Sequence, residues 1–125
     1  MKANDVSGVI VDAAMRVHSA MGPGLLESPY EGCLAFELSE RGLAIQRQLE
    51  LPVIYRGHQI DVGYRIDLLV EAEVIVEIKA VERFAPIHEA QLLTYLKLAD
   101  KQIGLLLNFN VLRMKDGIKR MVNNL

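Results

Sequence analysis

The sequence predicts an α/β fold in which helices pack on a mixed β-sheet. Three observations support this class: two N-terminal stretches have helical apolar spacing, the middle of the chain alternates with a period of two, and a third helical stretch precedes a buried strand. The predicted order is α-α-β-β-β-α-β, an antiparallel meander followed by a crossover helix and a last strand that can pair in parallel. The whole chain, residues 1–125, is expected to form a single domain.

Composition limits the kinds of protein that the chain can be. Its formal net charge is −2, so any binding of a polyanion must come from a local patch or a metal. The single cysteine, Cys33, excludes an internal disulfide framework, and the first residues lack the apolar run of a signal peptide. A cytoplasmic location is therefore expected. No apolar segment is long enough to span a bilayer, so no membrane association is expected.

The first helix is predicted from Asp5 to the turn at residues 22–24. Apolar residues recur there at helical spacing, and Asn4 or Asp5 can cap the start. His18 falls in the last turn, where a partly exposed histidine suits the helix dipole.

A second helix is predicted from Ser28 to Gly42, because Ser28 and Glu31 form a capping-box pattern with Pro29 at the first helical position. Glu27 lies at or just before this start. Its carboxylate either stabilises the helix dipole or points into a neighbouring cleft.

Three strands follow. Residues 44–55 and 59–70 alternate with a period of two around a turn at 56–58, and each is predicted to have one continuous apolar face. The third stretch, residues 74–80, is rich in β-branched residues but places Glu77 and Lys79 on one face. Such an apolar strand is expected in the centre of the sheet, where charges need a partner, a metal or a chemical role. An edge strand with one wet face is the alternative.

The loop between the second and third strands decides whether two acids meet. If residues 71–73 form it, Val70 faces Val74 and Asp67 lies opposite Glu77. Two carboxylates roughly 5 Å apart are unfavourable unless a cation lies between them. A two-residue loop would instead place the two acids on opposite faces and remove the site.

The remainder of the chain supplies a helix and two strands. Pro86 opens a helix that runs to about Ala99, and His88, Gln91 and Tyr95 share one face that is ordinarily the wet side of an amphipathic helix. A buried strand at 102–109, a turn at 115–117 and a short terminal strand follow. The residues of the helix expected to face the core are Ile87, Ala90, Leu93 and either Leu92 or Leu96.

Asp67, Glu77 and Lys79 form a candidate site. Hard oxygen ligands suit Mg²⁺ or Mn²⁺, which bind one or two protein carboxylates together with waters and phosphate oxygens. The main-chain carbonyl of Ile78 and the carboxylate of Glu27 are further candidate ligands. Such a metal would polarise a phosphodiester and activate a water, while Lys79 would orient that water or offset developing negative charge.

Four short motifs carry a resemblance to a known family. Asp67, followed ten positions later by Glu77-Ile78-Lys79, resembles the core motif of the PD-(D/E)xK nucleases, with Ile66 where the proline would stand. Residues 63–67 are similar to the GxxxD motif of the RecB-like branch, and residues 91–95 to its QxxxY motif. Residues 24–30 resemble the signature of the GxxExxY proteins. The resemblance spans about residues 9 to 122.

This resemblance implies a restriction-endonuclease-like αβββαβ core with an extra N-terminal helix. It also implies metal ligands at Glu27, Asp67 and Glu77 and a catalytic Lys79. The residues to which it gives supporting roles are Gln91 and Tyr95, Tyr30 of the signature, and His18 and His88, which lie where the family pattern is expected to carry histidines.

Three functions are open from the sequence. The first is a metal-dependent nuclease that hydrolyses phosphodiester bonds in DNA, with RNA left open as a substrate. The second is a catalytically silent nuclease-fold module that binds nucleic acid or a protein partner. The third is a structural domain with a Glu77–Lys79 ion pair, which is disfavoured because one lysine then faces two acids. A homodimer or larger complex is expected, since so small a domain contacts few base pairs.

Overall fold

Helices and strands follow one another along the chain in the predicted order. The computed structural model describes residues 1–124, with the backbone alone at positions 61 and 62. The elements are α1 (Ala3–Met21), α2 (Glu27–Glu40), β1 (Ile45–Tyr55), β2 (His58–Val70), β3 (Val74–Lys79), α3 (Pro86–Ala99), β4 (Ile103–Asn108) and β5 (Ile118–Val122), with a 3₁₀ turn at Met114–Gly117.

The strands form one mixed sheet in the order β1-β2-β3-β4-β5. All neighbours are antiparallel except β3 and β4, which are parallel and are connected through α3. The predicted meander, the crossover helix and the parallel pairing of the strand that follows this helix are therefore confirmed. β3 is the central strand and is buried on both faces, so the alternative of an edge strand is wrong.

Helices cover both faces of the sheet. Side chains of α1 and α2 pack with Val74, Val76 and Ile78 of β3 in one apolar cluster. On the opposite face, Leu92 and Leu96 of α3 pack with Ile75 in a second cluster. This three-layer arrangement explains why β3 reads as an almost continuous run of apolar residues, since neither of its faces meets water.

Along the β1–β2 hairpin, the side chains on one side of the strands pack with α1 and α2 at one end and with α3 further out. On β2, Leu68 packs with α1 and α2, whereas Ile66 packs with α3. On β1 the same change occurs between Ile45 and Leu49, on either side of Gln48, whose φ is +50°. A left-handed residue breaks the strict alternation of a strand, and the pairing register is the same on both sides of Gln48, so the two strands turn together. The prediction of one continuous apolar face for each strand is therefore wrong.

The N-termini of the first two helices also differ from their predictions. α2 begins at Glu27 with Leu26 as its N-cap and has no side-chain cap, so the capping box predicted at Ser28 is wrong. α1 has Lys2 as N-cap, again without a side-chain cap, and Asp5 lies inside the first turn. A carboxylate in either first turn still interacts favourably with the helix dipole.

The buried face of α3 is rotated from the predicted one. Leu92, Tyr95 and Leu96 are buried, whereas Ile87 is 59% exposed. Tyr95 therefore belongs to the core-facing side and not to the wet side. No helix in residues 1–124 is long and apolar enough to cross a membrane.

Candidate active site

The ladder between β2 and β3 ends immediately before two carboxylates. Val70 pairs with Val74 and the pairing stops at Leu68 and Val76, so residues 71–73 form the loop as predicted. The next residue on each strand is Asp67 on β2 and Glu77 on β3. The register that brings the two acids together is confirmed, and the alternative two-residue loop is wrong.

Crossed hydrogen bonds join the two acids where the strands separate. The backbone N–H of Asp67 donates to Oε2 of Glu77 over 2.9 Å, and the backbone N–H of Ile78 donates to Oδ2 of Asp67 over 2.8 Å. Each carboxylate thus replaces a ladder partner on the opposite strand. This fixes the position of both side chains, because each is held by main chain and not by a mobile side chain.

Burial makes this pair of acids electrostatically unusual. Glu77 is only 7% exposed, and its burial, together with the neighbouring Asp67 carboxylate, raises the pKa of Glu77 to about 8. Lys79 acts on the pKa in the opposite direction but does not compensate, and this half-buried lysine makes no salt bridge with any residue of the described chain. Without a metal, Glu77 therefore holds its proton at neutral pH, and the site would have an excess of negative charge only if both acids were ionised.

A third carboxylate reaches the site from α2. Glu31 is 8% exposed, and its Oε1 accepts a hydrogen bond of 2.6 Å from Nε2 of Gln48. The same Nε2 donates to Oδ1 of Asp67 over 3.2 Å, so one amide connects two acids. The other oxygen of Glu31 accepts from Arg47, at 3.1 Å from its Nη2. Glu31 also contributes to the raised pKa of Glu77.

Glu31 and Gln48 were missed in the sequence, although Glu31 carried a signal. It occupies the same helical stripe as three buried residues of α2, which are Leu34, Ala35 and Leu38. A charged residue in an apolar stripe is rarely buried without a partner or a role. Gln48 gave no comparable signal, because it lies at an ordinary polar position of an alternating strand.

Comparison with known families adds independent evidence. A sequence model of the PD-(D/E)XK nuclease superfamily matches residues 4–121. The chain belongs to the PD-(D/E)XK nuclease superfamily. Its mixed sheet with helices on both faces is consistent with the restriction-endonuclease-like fold of such nucleases. Neither curated proteins nor solved structures gave a match. Membership of the GxxExxY group stays a prediction.

The residues that resemble the superfamily's core motif lie at the fork between β2 and β3. Asp67, Glu77 and Lys79 lie together there, and the main-chain N–H of Ile78 is bound to Asp67. Divalent metal ions are generally used by PD-(D/E)XK nucleases. The donor set fits such an ion, because its ligand atoms are carboxylate oxygens and a bound cation would offset the repulsion that opposes ionisation of Glu77.

The glutamate and the tyrosine of the GxxExxY-like stretch lie in different environments. Glu27 is exposed at the first position of α2 and makes no hydrogen bond or salt bridge through its side chain within residues 1–124. The structure therefore brings Glu31, one turn further along α2, to the acids in place of Glu27. Tyr30 is fully buried: its hydroxyl donates to the carbonyl of Gly22 over 2.5 Å and accepts from the N–H of Leu25 over 3.1 Å. Tyr30 holds the turn that precedes α2.

Tyr95 of the QxxxY-like motif lies beside the acids. Burial, followed by the charge of Glu77, raises the pKa of Tyr95, and Asp67 adds to the effect. Gln91 is exposed and lines an open cleft that Tyr95 also lines. The charge of the acids therefore acts on Tyr95, and Gln91 lies in the cleft that Tyr95 also lines.

The two histidines have structural partners. His18 is 8% exposed, and its Nε2 donates to the carbonyl of Val111 over 2.7 Å, which attaches α1 to the segment after β4. Nδ1 of His88 accepts from the backbone N–H of Ala85 over 3.0 Å and so caps α3. Neither makes a hydrogen bond or salt bridge to Asp67, Glu77 or Lys79 in the described part of the chain. The predicted supporting roles of His18 and His88 are not favoured by these positions.

Proposed function

We propose that the protein is a metal-dependent nuclease that hydrolyses phosphodiester bonds in DNA, with RNA as the other candidate polymer. One observation carries the proposal: Asp67 and Glu77 are held by crossed hydrogen bonds at the fork of β2 and β3, and Lys79 follows on the same central strand. Membership of the PD-(D/E)XK nuclease superfamily supports it.

The cofactor proposed is Mg²⁺ or Mn²⁺. The residues that would hold it are Asp67 and Glu77, with the main-chain carbonyl of Ile78 as a further ligand and Glu31 close enough to Asp67 to share an amide. When bound, the ion supplies Lewis-acid polarisation of the phosphodiester. Two carboxylates are sufficient for such an ion, because Mg²⁺ keeps waters and phosphate oxygens as its other ligands.

The chain's own residues would hold the acids in place and offset the negative charge that develops during the reaction. Lys79 is half-buried two residues after Glu77 and makes no salt bridge with the side chains that the structure describes, so its ammonium is available to a phosphate oxygen or an attacking water. In a site with little solvent, one such cation can stabilise the charge that develops as the phosphodiester is attacked. Gln48 and the N–H of Ile78 keep Asp67 in place during this step.

The test is cleavage of labelled DNA and RNA by the purified protein with Mg²⁺, with Mn²⁺ and with a chelator. We expect cleavage that requires metal and is lost in Asp67→Asn and in Lys79→Ala. Matched controls are Glu40→Gln and Lys97→Ala, which alter exposed residues at the end of α2 and on α3. Full activity in either site variant, with circular dichroism unchanged, would contradict the proposal.

A silent binding module is the second candidate. Its support is the small size of the chain and its formal net charge of −2, which also suit a domain that acts through a partner. In that case the protein binds nucleic acid or a protein partner without cleaving any polymer under any metal condition. Salt-sensitive binding without cleavage would therefore select this function over the first.

Assembly and location remain part of the proposal. We propose a homodimer or a larger complex acting in the cytoplasm, supported by the small size of the domain and by its single free cysteine, Cys33. Light scattering coupled to size-exclusion chromatography measures the assembly. A monomer at all concentrations, with and without DNA, would contradict that part.

A further inference from the structure

An open cleft lies between the tip of the β1–β2 hairpin and α3. Its volume is about 400 Å³, within the range of small-ligand sites. The hairpin forms one wall and α3 forms the other. The residues used below are Val53 and Tyr64 of the hairpin and Ile87, Gln91, Thr94 and Tyr95 of α3.

One wall of the cleft is connected to the strands that carry the acids. Tyr95 lines the cleft and packs in the same apolar cluster as Ile66 and Ile75. Ile66 directly precedes Asp67, and Ile75 lies on the same face of β3 as Glu77. The cleft and the two carboxylates are therefore linked through Tyr95 and its apolar cluster, so a strand bound at the carboxylates can extend to the cleft.

The walls of the cleft have the chemistry of a stacking site. Tyr64 is 47% exposed although its ring lies 5.7 Å from the ring of Tyr95, so one aromatic side chain is supported by another and still open to a ligand. Val53 and Ile87 add apolar surface. The polar side chains of Gln91 and Thr94 stand among these walls and can donate or accept hydrogen bonds. A planar heteroaromatic ring with polar edges matches this combination.

We propose that the cleft is a nucleobase-binding subsite that takes one unpaired base of the strand whose phosphodiester lies at Asp67 and Glu77. The inference rests on the proposed nuclease function. A base inside a duplex is covered by its stacked neighbours and its edge is paired, so it cannot enter the cleft unless it leaves the helix. The preferred substrate class is therefore single-stranded DNA or an unpaired end.

The first experiment measures binding separately from cleavage. Fluorescence anisotropy of a short labelled oligodeoxythymidine, with metal chelated, gives a Kd for wild type and for variants at Tyr64. We expect Tyr64→Ala to weaken binding by about 5- to 150-fold, the usual effect of removing one base-stacking aromatic ring, and Tyr64→Phe to retain it. Tyr55→Ala is the matched control, because Tyr55 is 65% exposed on β1 but does not line the cleft.

A second measurement needs no variant. An oligonucleotide carrying 2-aminopurine reports stacking by loss of its fluorescence, and wild-type protein should quench it in single-stranded DNA more than in the matching duplex. Equal quenching in both forms, or an unchanged Kd in Tyr64→Ala, would overturn the subsite.

The outcomes test the proposed subsite and the proposed nuclease function separately. If wild type cleaves DNA and Tyr64→Ala binds and cleaves single strands as wild type does, the subsite is wrong and the nuclease stands. If binding depends on Tyr64 but no polymer is cleaved under any metal condition, the subsite stands and the nuclease is wrong.

Discussion

Gln48 donates a hydrogen bond from its side chain to Asp67 at the level where the β1–β2 hairpin passes from one layer of the protein to the other. Gln48 is also the residue of β1 with a left-handed backbone, at φ +50°. Gln48 therefore takes part both in the change of layers and in the site. The local distortion that redirects the hairpin also places an amide between the carboxylates of Asp67 and Glu31.

The strain at Gln48 can be measured by two substitutions. Both Gln48→Ala and Gln48→Gly lose the two side-chain hydrogen bonds, which should lower the free energy of unfolding by about 1–2 kcal/mol. Glycine accepts a positive φ without a Cβ penalty, so Gln48→Gly should be more stable than Gln48→Ala by about 1 kcal/mol. Urea unfolding followed by circular dichroism measures both.

The control for the expected stability order of the glycine and alanine variants is Gln46 on the same strand. Gln46 is exposed, and its backbone is not left-handed. Glycine in an ordinary strand is destabilising, so Gln46→Gly should be less stable than Gln46→Ala. The same order at both positions would show that Gln48 is not strained.

Stability of the metal-free protein should depend on the protonation of Glu77. Its pKa is raised from 4.5 in the unfolded chain to about 8 in the folded one, so the folded state holds a proton that the unfolded state has released. The contribution of this group is full below pH 4.5, falls as the pH rises from about 4.5 to 8, and is lost above that. Glu77→Gln should remove this loss and be more stable than wild type at pH 9 by roughly a few kcal/mol.

Thermal denaturation in a chelating buffer between pH 5 and pH 9 measures this effect. Glu73→Gln is the control, since Glu73 is exposed in the loop before β3 and should follow wild type at every pH. Parallel curves for wild type and Glu77→Gln would show that Glu77 is not the group responsible.

Divalent metal should stabilise the folded protein. An ion that binds only the native state adds RT ln(1 + [L]/Kd), about 2.7 kcal/mol when its concentration is one hundred times Kd. We expect Mn²⁺ to raise the Tm of wild type and not that of Asp67→Asn, and the rise to be larger at pH 8 than at pH 6, because the ion competes with the proton of Glu77. An equal rise in Asp67→Asn would place the ion elsewhere.

Tyr30→Phe should affect stability and not cleavage. The substitution keeps the stack on Phe109, whose ring centroid is 4.6 Å away, but leaves the carbonyl of Gly22 and the N–H of Leu25 without the hydroxyl. We expect a loss of about 1–2 kcal/mol in the free energy of unfolding, with metal-dependent cleavage of the folded variant unchanged. Tyr55→Phe is the exposed control. A folded Tyr30→Phe variant with no cleavage would give the tyrosine a role in the site.

Much of the fold follows from patterns that are local in sequence. The period-two strands, the helical stripes and the three-residue loop at 71–73 were enough to predict the element order and the pairing of Val70 with Val74. That pairing in turn predicted that Asp67 and Glu77 meet. These features could be predicted because they depend on spacing along one or two neighbouring elements.

The features that were missed depend on contacts between distant elements. The change of layers at Gln48 leaves no glycine or proline to mark it, and the packing of α3 against the sheet decides that Tyr95 is buried and Ile87 exposed. For α2, the position of Glu27 at the helix start was predicted, but which carboxylate reaches the site depends on how the helix lies on β1. Glu31, and not Glu27, is on the side that contacts Gln48 and Arg47.

The change of layers at Gln48 divides β1 and β2 into two parts that contribute to different sites. Residues on the sheet side of this change carry the acids, while the tip at residues 49–66 carries Val53 and Tyr64 of the cleft. For protein engineering, the exposed positions of the tip can be substituted to change which nucleic-acid strand is selected, while Leu51 and Ile66 are kept because they are buried with α3.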